Sequence, residues 1–198
     1  MADIMTKEEL EAELTRTGAL MEGHFLLASG LHSGYYLQCA RLLQHPDLAE
    51  RIGASIAALF PGVEIDAVAA PAVGGVIVAH EVARALGVRA IFSEREAGVM
   101  TFRRGLGISE GEGVAVVEDV ITTGGSIRET IEAVARLGGR VAAAGCILDR
   151  SGGEANLGTA TPLRALLTIT FPTYGPEGCP LCAEGMPLEK PGSKIQAR

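Results

Sequence analysis

The stretch GVAVVEDVITTGGSIRETIEAVARLGG, Gly113–Gly139, holds a strand, a turn and a helix in immediate succession. GVAVVED is a short, nearly continuous apolar run, as expected of a strand covered on both faces. In the following segment Ile127, Ile131, Val134 and Ala135 recur at helical spacing, and a glycine pair ends the run. A strand feeding directly into a helix is half of a parallel crossover, so this stretch predicts a parallel sheet.

The same alternation extends outward. IDAVAA (65–70), VRAIF (88–92), RVAAAGCIL (140–148) and LRALLTI (163–169) read as further covered strands, and VIVAHEVARALG (76–87) as another helix ending at glycine. The expected fold class is α/β: a doubly wound, mostly parallel sheet with right-handed crossovers, its core sheet spanning about 60–170 of a single domain over 1–198. Before it, Thr6 and Glu9 form a capping box for a helix ending near Gly18. HFLLASGLHSGYYLQCARLL (24–43), short apolar runs broken by Ser-Gly pairs, predicts a small strand-rich hood over about 18–45. Pro46 suits the first turn of a helix reaching Leu59, stopped by Pro61-Gly62. SEREAGVMTFRRGLGISEGEG (93–113) is too long for an ordinary turn and is expected to be a flexible lid loop, with 171–198 a C-terminal tail.

The chain has 198 residues, 47% of them hydrophobic, enough for one well-buried core. A net charge of -7 and a pI near 5.2 disfavour an electrostatic grip on nucleic acid or an anionic membrane but permit a small anionic ligand. The most apolar stretch, Ile65–Val78, is broken by Asp66, Pro71 and a glycine pair and predicts no membrane span. The acidic N-terminus shows no secretory pattern, so a cytoplasmic location is expected. Cys39 and Cys146 are isolated, and Cys179 and Cys182 form a CPLC pair. That pair is half of a zinc site; a reduced turn is favoured over a metal site completed across subunits. The four histidines are scattered and receive no role.

The turn in the opening stretch poses a chemical problem. Gly124 and Gly125 let the backbone curl and expose amides at the positive end of the helix dipole, while Thr122, Thr123 and Ser126 add hydroxyl donors, which makes a phosphate cradle. Glu118 and Asp119, immediately before it, repel phosphate. Ionised carboxylates are pure acceptors, however, and can take the donor protons of vicinal sugar hydroxyls. A ribose 5-phosphate satisfies both halves. No GxxxxGK[ST] loop is present, and no GxGxxG follows a strand.

VVEDVITTGGS (Val116–Ser126) resembles the phosphoribosyl-diphosphate signature of type I phosphoribosyltransferases, and three more stretches resemble orotate phosphoribosyltransferases in particular. In HFLLASGLHSGYY the resemblance makes Tyr35 and Tyr36 the aromatic pair at the orotate ring, although alternation along a strand leaves one of them free to be plain core. VAAPAVGGVIVAHEVARALG matches the pyrophosphate-side loop, with Val73 and Gly74, and ILDR makes Arg150 the orotate carboxylate anchor, assisted by Thr122. The donor would be bound by Glu118, Asp119, Val120, Ile121, Thr122, Thr123, Gly124, Gly125, Ser126, Arg95, Val73 and Gly74. Catalysis would rest on Glu118, Asp119, Arg95, Arg103 and Arg104. Mg²⁺ is the implied cofactor, bound through the substrate diphosphate and ribose hydroxyls, with no metal held directly by the protein. A homodimer with a shared active site is also implied.

The chain departs from the family pattern. Its lid carries Glu94-Arg95-Glu96 and no lysine or histidine before Val114; Gly74 and Ala28 stand where lysines are common. Arg95, Arg103 and Arg104 are expected to supply the missing charge as diphosphate-binding forks, a solvated charged loop being the alternative. The implied reaction moves ribose 5-phosphate from phosphoribosyl diphosphate to N1 of orotate. A purine-type phosphoribosyltransferase, or a weakly catalytic regulator of pyrimidine genes that binds RNA, remains an alternative, the regulator disfavoured by the acidic surface.

Overall fold

A computed structural model describes residues 3–27 and 29–191; Ala28, one of the two lysine replacements, and the tail beyond 191 lie outside the described residues. Helix α1 (Lys7–Arg16) opens as its sequence requires: the Glu9 amide donates to Thr6 Oγ1 at 3.2 Å and the Thr6 amide to Glu9 Oε2 at 2.9 Å. Strands β1 (Leu20–Leu26) and β2 (His32–Leu37) form an antiparallel hairpin, followed by α2 (Ala40–Leu43) and α3 (Pro46–Ala57), the latter with proline in its first turn.

The remaining elements are β3 (Ala67–Pro71), α4 (Gly75–Leu86), β4 (Arg89–Glu96), β5 (Val99–Phe102), β6 (Gly113–Ile121), α5 (Gly125–Arg136), β7 (Arg140–Asp149), β8 (Leu163–Thr168), β9 (Thr173–Tyr174) and the short α6 (Pro180–Ala183). Six strands make the main sheet in the order β5-β4-β3-β6-β7-β8, parallel except for β5. This is the expected doubly wound α/β sheet. From β3 the chain moves through α4 to one side, and from β6 through α5 to the other. Right-handed crossovers therefore put the two helices on opposite faces. Ile52, Ile56, Val78 and Val82 pack with Val68 and Val117 on one face; Ile127, Ile131 and Val134 pack with Ile91 and Val116 on the other. Between β3 and β6 the strand order reverses, and the loops after them diverge into a crevice.

Two expectations are corrected. The stretch 93–113 is not one irregular loop: β4 runs on to Glu96, turns at Ala97 and Gly98, and returns as β5, pairing Glu94 with Thr101 and Glu96 with Val99. Both turn residues have positive φ, 49° and 86°, the geometry of a two-residue hairpin turn. The charged run Glu94-Arg95-Glu96 hid this hairpin: it ends β4 beyond the reach of β3, where only β5 pairs with it and charge is tolerated. Pairing of β4 with β3 stops at Pro71 and Ser93, so the hairpin stands beyond the carboxyl edge of the sheet. The hood, in turn, is not built from the N-terminal segment alone. β9, from the tail, pairs with β2, and Glu189 lies beside β1, its carbonyl accepting from the Leu26 amide at 2.7 Å and its amide donating to the His24 carbonyl at 2.8 Å. A two-residue strand is too short to leave a periodic signature. Among the described residues no helix is long and apolar enough to cross a membrane.

Candidate active site

The carboxylates Glu118 and Asp119 stand near the carboxyl end of β6, at the crevice where the strand order reverses. Burial pushes the Glu118 carboxyl up to about 8, with the neighbouring Asp119 charge adding to the rise. Burial also raises Asp119, against the opposing pull of the Val120 amide and its own. Among the described residues no cation offsets either rise. The Asp119 carboxylate lies against the loop after β3: a β-carbon on Gly74 would stand 2.6 Å from Asp119 Oδ2 and 2.9 Å from its Cγ. Any larger residue at position 74 would push the carboxylate aside.

The raised Glu118 carboxyl has a measurable consequence for the ligand-free protein. The folded chain holds this proton up to about pH 8, whereas an unfolded carboxyl releases it near 4.5. The folded state therefore binds more protons across that window, and stability falls as pH rises through it, by about 1.36 kcal/mol for each step of one in pH. Glu118→Gln removes this slope. Melting curves at pH 5 and pH 8 should show a smaller drop for the variant than for the wild type; equal drops would assign Glu118 an ordinary carboxylate.

Beyond β6 the backbone curls at Gly124, φ 81°, into α5, and a β-carbon there would stand 3.2 Å from the Asn156 carbonyl. Thr122, Thr123 and Ser126 are exposed, as donors to a ligand must be. Thr122, Thr123 and Val120 line a cleft of about 720 Å³ together with Tyr36, Arg150 and Phe171. Ile121 does not face it: its side chain is buried in the core beneath α5, and its carbonyl accepts from the Arg150 amide at 2.8 Å. Residues along a strand alternate between faces, so only one of the Val120-Ile121 pair could reach the cleft.

Arg150 follows the last residue of β7. Buried Asp149 fixes the turn by accepting from the Ser151 amide (2.8 Å), the Ser151 hydroxyl (2.6 Å) and the Gly153 amide (3.1 Å). The Arg150 guanidinium lies over the Phe171 ring, 5.2 Å from its centroid, and its Nε is buried with no hydrogen-bond partner among the described residues. Burial lowers its affinity for its proton. A buried donor left open beside a cleft is satisfied by an anionic acceptor.

Of the two tyrosines, Tyr36 lines the cleft. Tyr35, expected at the same ring, points to the other face of β2 and stacks on Phe171, with ring centroids 4.7 Å apart at 19°. Phe171 and Lys190, which also lines the cleft, were missed by sequence reasoning because both fall in the tail, where no periodic pattern marks them. Val73 is 85% exposed on the loop after β3, beside Gly74. The lid arginines are not among the residues lining the cleft. Arg95 pairs with Glu129 at 2.7 Å, Arg103 with Glu96 at 3.1 Å, and Arg104 with Glu94 at 2.8 Å. The acids interleaved with them in the lid and on α5 hold them there.

The phosphoribosyl transferase domain family matches residues 38–159, which contain β3 to β7, both carboxylates and Arg150. An orotate phosphoribosyltransferase from Pelotomaculum thermopropionicum is 56% identical over 190 residues, covering 96% of this chain and 99% of that protein. One from Thermotoga maritima is 50% identical over 96% of this chain and 98% of its own length. The crystal structure of orotate phosphoribosyltransferase from Aeropyrum pernix superposes with a TM-score of 0.65 at 28% identity, over 81% of this chain and 93% of the other. Matching to this extent in sequence and in fold, the chain belongs to the orotate phosphoribosyltransferase family.

Proposed function

We propose that the protein transfers ribose 5-phosphate from 5-phosphoribosyl 1-diphosphate to N1 of orotate, releasing pyrophosphate and forming orotidine 5′-monophosphate for pyrimidine synthesis. One observation carries the reading: a single cleft is lined both by Thr122 and Thr123, from the turn after β6, and by Arg150, whose guanidinium is partly buried and whose Nε has no partner among the described residues. The turn suits the 5′-phosphate, and Arg150 suits the orotate carboxylate, with Tyr36 against the pyrimidine and Thr122 between the two ligands.

Glu118 and Asp119 accept from the ribose hydroxyls and, once ionised, favour the positive charge that grows on the ribose as its C1–O bond breaks. The bonding electrons leave with the diphosphate, and N1 of orotate closes the new C–N bond. The implied Mg²⁺ would be held by the substrate, not by a protein ligand, beside Glu118 and Asp119, and would supply positive charge to the departing diphosphate. Val73 and Gly74, on the loop that lies against the Asp119 carboxylate, serve the diphosphate. Arg95, Arg103 and Arg104 serve the diphosphate once they leave their lid acids. Exposed pairs of this kind are worth about 0–1 kcal/mol, so a polyanion displaces them readily. The Arg103→Ala/Arg104→Ala double variant should lose at least tenfold in turnover; wild-type rates would remove the lid cations from the reaction.

The enzyme acts as a cytoplasmic homodimer, the projecting β4–β5 hairpin reaching the partner's cleft. Its tip residue Val99 is 56% exposed in the single chain, which suits a contact between subunits. Sedimentation at assay concentration checks the dimer. The decisive experiment for the reaction is pyrophosphate release from the donor with orotate, uracil, adenine and hypoxanthine offered separately. Orotate alone should support turnover; comparable rates with a purine would overturn the acceptor.

A further inference from the structure

On the hood, away from the cleft, the fold gathers four side chains that sequence reasoning kept apart. His24 comes from β1, His32 from β2, and Cys179 and Cys182 from the turn into α6. One ligand atom from each lies within 4.8 Å of the other three. His24 Nε2 is 3.0 Å from His32 Nδ1, 3.5 Å from Cys179 Sγ and 3.7 Å from Cys182 Sγ, and Cys182 Sγ is 3.4 Å from His32 Nδ1. For metal bonds of about 2.0–2.1 Å to nitrogen and 2.3 Å to sulfur, the edges of a tetrahedron are roughly 3.3–3.8 Å. Four edges of the cluster, 3.0–3.7 Å, lie close to those dimensions, and the other two do not exceed 4.8 Å.

Its surroundings fit the same reading. The other ring nitrogen of His24, Nδ1, lies 2.9 Å from the Met186 carbonyl, which can only accept. A neutral His24 donates there and turns its Nε2 lone pair to the cluster, the usual outer hydrogen bond of a metal-bound histidine. His24, His32 and Cys179 are all buried. Between its backbone pairings at β9 and Glu189, the segment they hold has little apolar packing of its own: neither α6 nor the 3₁₀ turn Pro176–Gly178 contains a buried residue, and Met186 and Leu188 are exposed. A segment without an apolar core needs another source of order, and a metal clip is one.

We propose that His24, His32, Cys179 and Cys182 form a tetrahedral zinc site, complete within one chain, that fastens the tail to the β1–β2 hairpin. Two thiolates and two imidazoles select zinc over hard cations such as magnesium. Four protein ligands leave no open position, so the site is structural. It differs from the reading of CPLC as a reduced turn favoured over a metal site completed across subunits, because the histidines that complete the set lie far away in sequence and close in the fold.

The test is metal analysis of the full chain, expressed without a histidine tag and purified anaerobically. About one zinc per chain should survive gel filtration, and the Cys179→Ser/Cys182→Ser variant should retain at least tenfold less. Cobalt(II) loaded in place of zinc into the wild-type chain should give the intense visible bands of a tetrahedral ion and a near-ultraviolet thiolate charge-transfer band. This readout holds whether or not the serine variant folds. Less than a tenth of an equivalent after incubation with zinc, octahedral cobalt bands, or a Cys179–Cys182 disulfide in the anaerobic protein would each overturn the site.

Discussion

Arg150→Ala is expected to raise the KM for orotate about a hundredfold, or 2.7 kcal/mol, with the KM for the donor changed far less. The magnitude follows from the setting. The guanidinium is partly desolvated over Phe171, its Nε has no partner among the described residues, and truncating one member of a buried charged pair costs about 2–5 kcal/mol. Arg150→Lys should recover little of the loss, because an ammonium offers neither the planar fork nor the stacking surface. Steady-state kinetics with each substrate varied in turn provide the check. An orotate KM within threefold of wild type would leave Arg150 as a loop cation and return the acceptor site to question.

The second large effect falls on turnover. Asp119→Asn preserves shape, and because burial already disfavours the charge at this position, the amide should not lower the melting temperature at neutral pH. It does remove an acceptor of negative charge beside the ribose. We expect kcat to fall at least tenfold, about 1.4 kcal/mol of barrier, at saturating substrates. Unchanged turnover would separate the acid pair from the chemistry. Calorimetry of donor binding to the wild-type protein at pH 6 and pH 8, in buffers of different ionisation enthalpy, reports on Glu118. Its carboxyl is held up to about 8 in the free protein, so donor binding that needs the ionised form should release a proton, more completely at the lower pH.

These two residues also show how unevenly the site was written in the sequence. The donor half was legible because it is local. A covered strand, two acids, a glycine turn and a helix follow one another within Gly113–Gly139, and backbone geometry over so short a span is set by its own residues. Arg150 was legible as the residue ending another strand, and strand ends in a parallel sheet gather at one edge. The rest of the acceptor half was not. Phe171 and Lys190 reach the cleft from the tail, and Tyr36 rather than Tyr35 faces it because the register of β1 and β2 decides which side turns inward. The β4–β5 hairpin escaped notice for a related reason: the end of β4 beyond Ser93 has β5 as its one neighbour in the sheet and carries the charged run Glu94-Arg95-Glu96.

By itself, then, the chain's order of residues determined the doubly wound sheet, the helices on either side of it and the turn that suits a ribose phosphate. All of these follow from periodicity and from conformational preferences acting over a few residues. Tertiary structure decided the rest: the closeness of Gly74 to Asp119, the Phe171 platform under Arg150, the pairing of lid arginines with lid acids, and the meeting of His24 and His32 with Cys179 and Cys182. Each of these joins segments whose separation along the chain carries no local signal. Only the folding of the tail back onto the hood, or of one strand end onto another, brings them within reach.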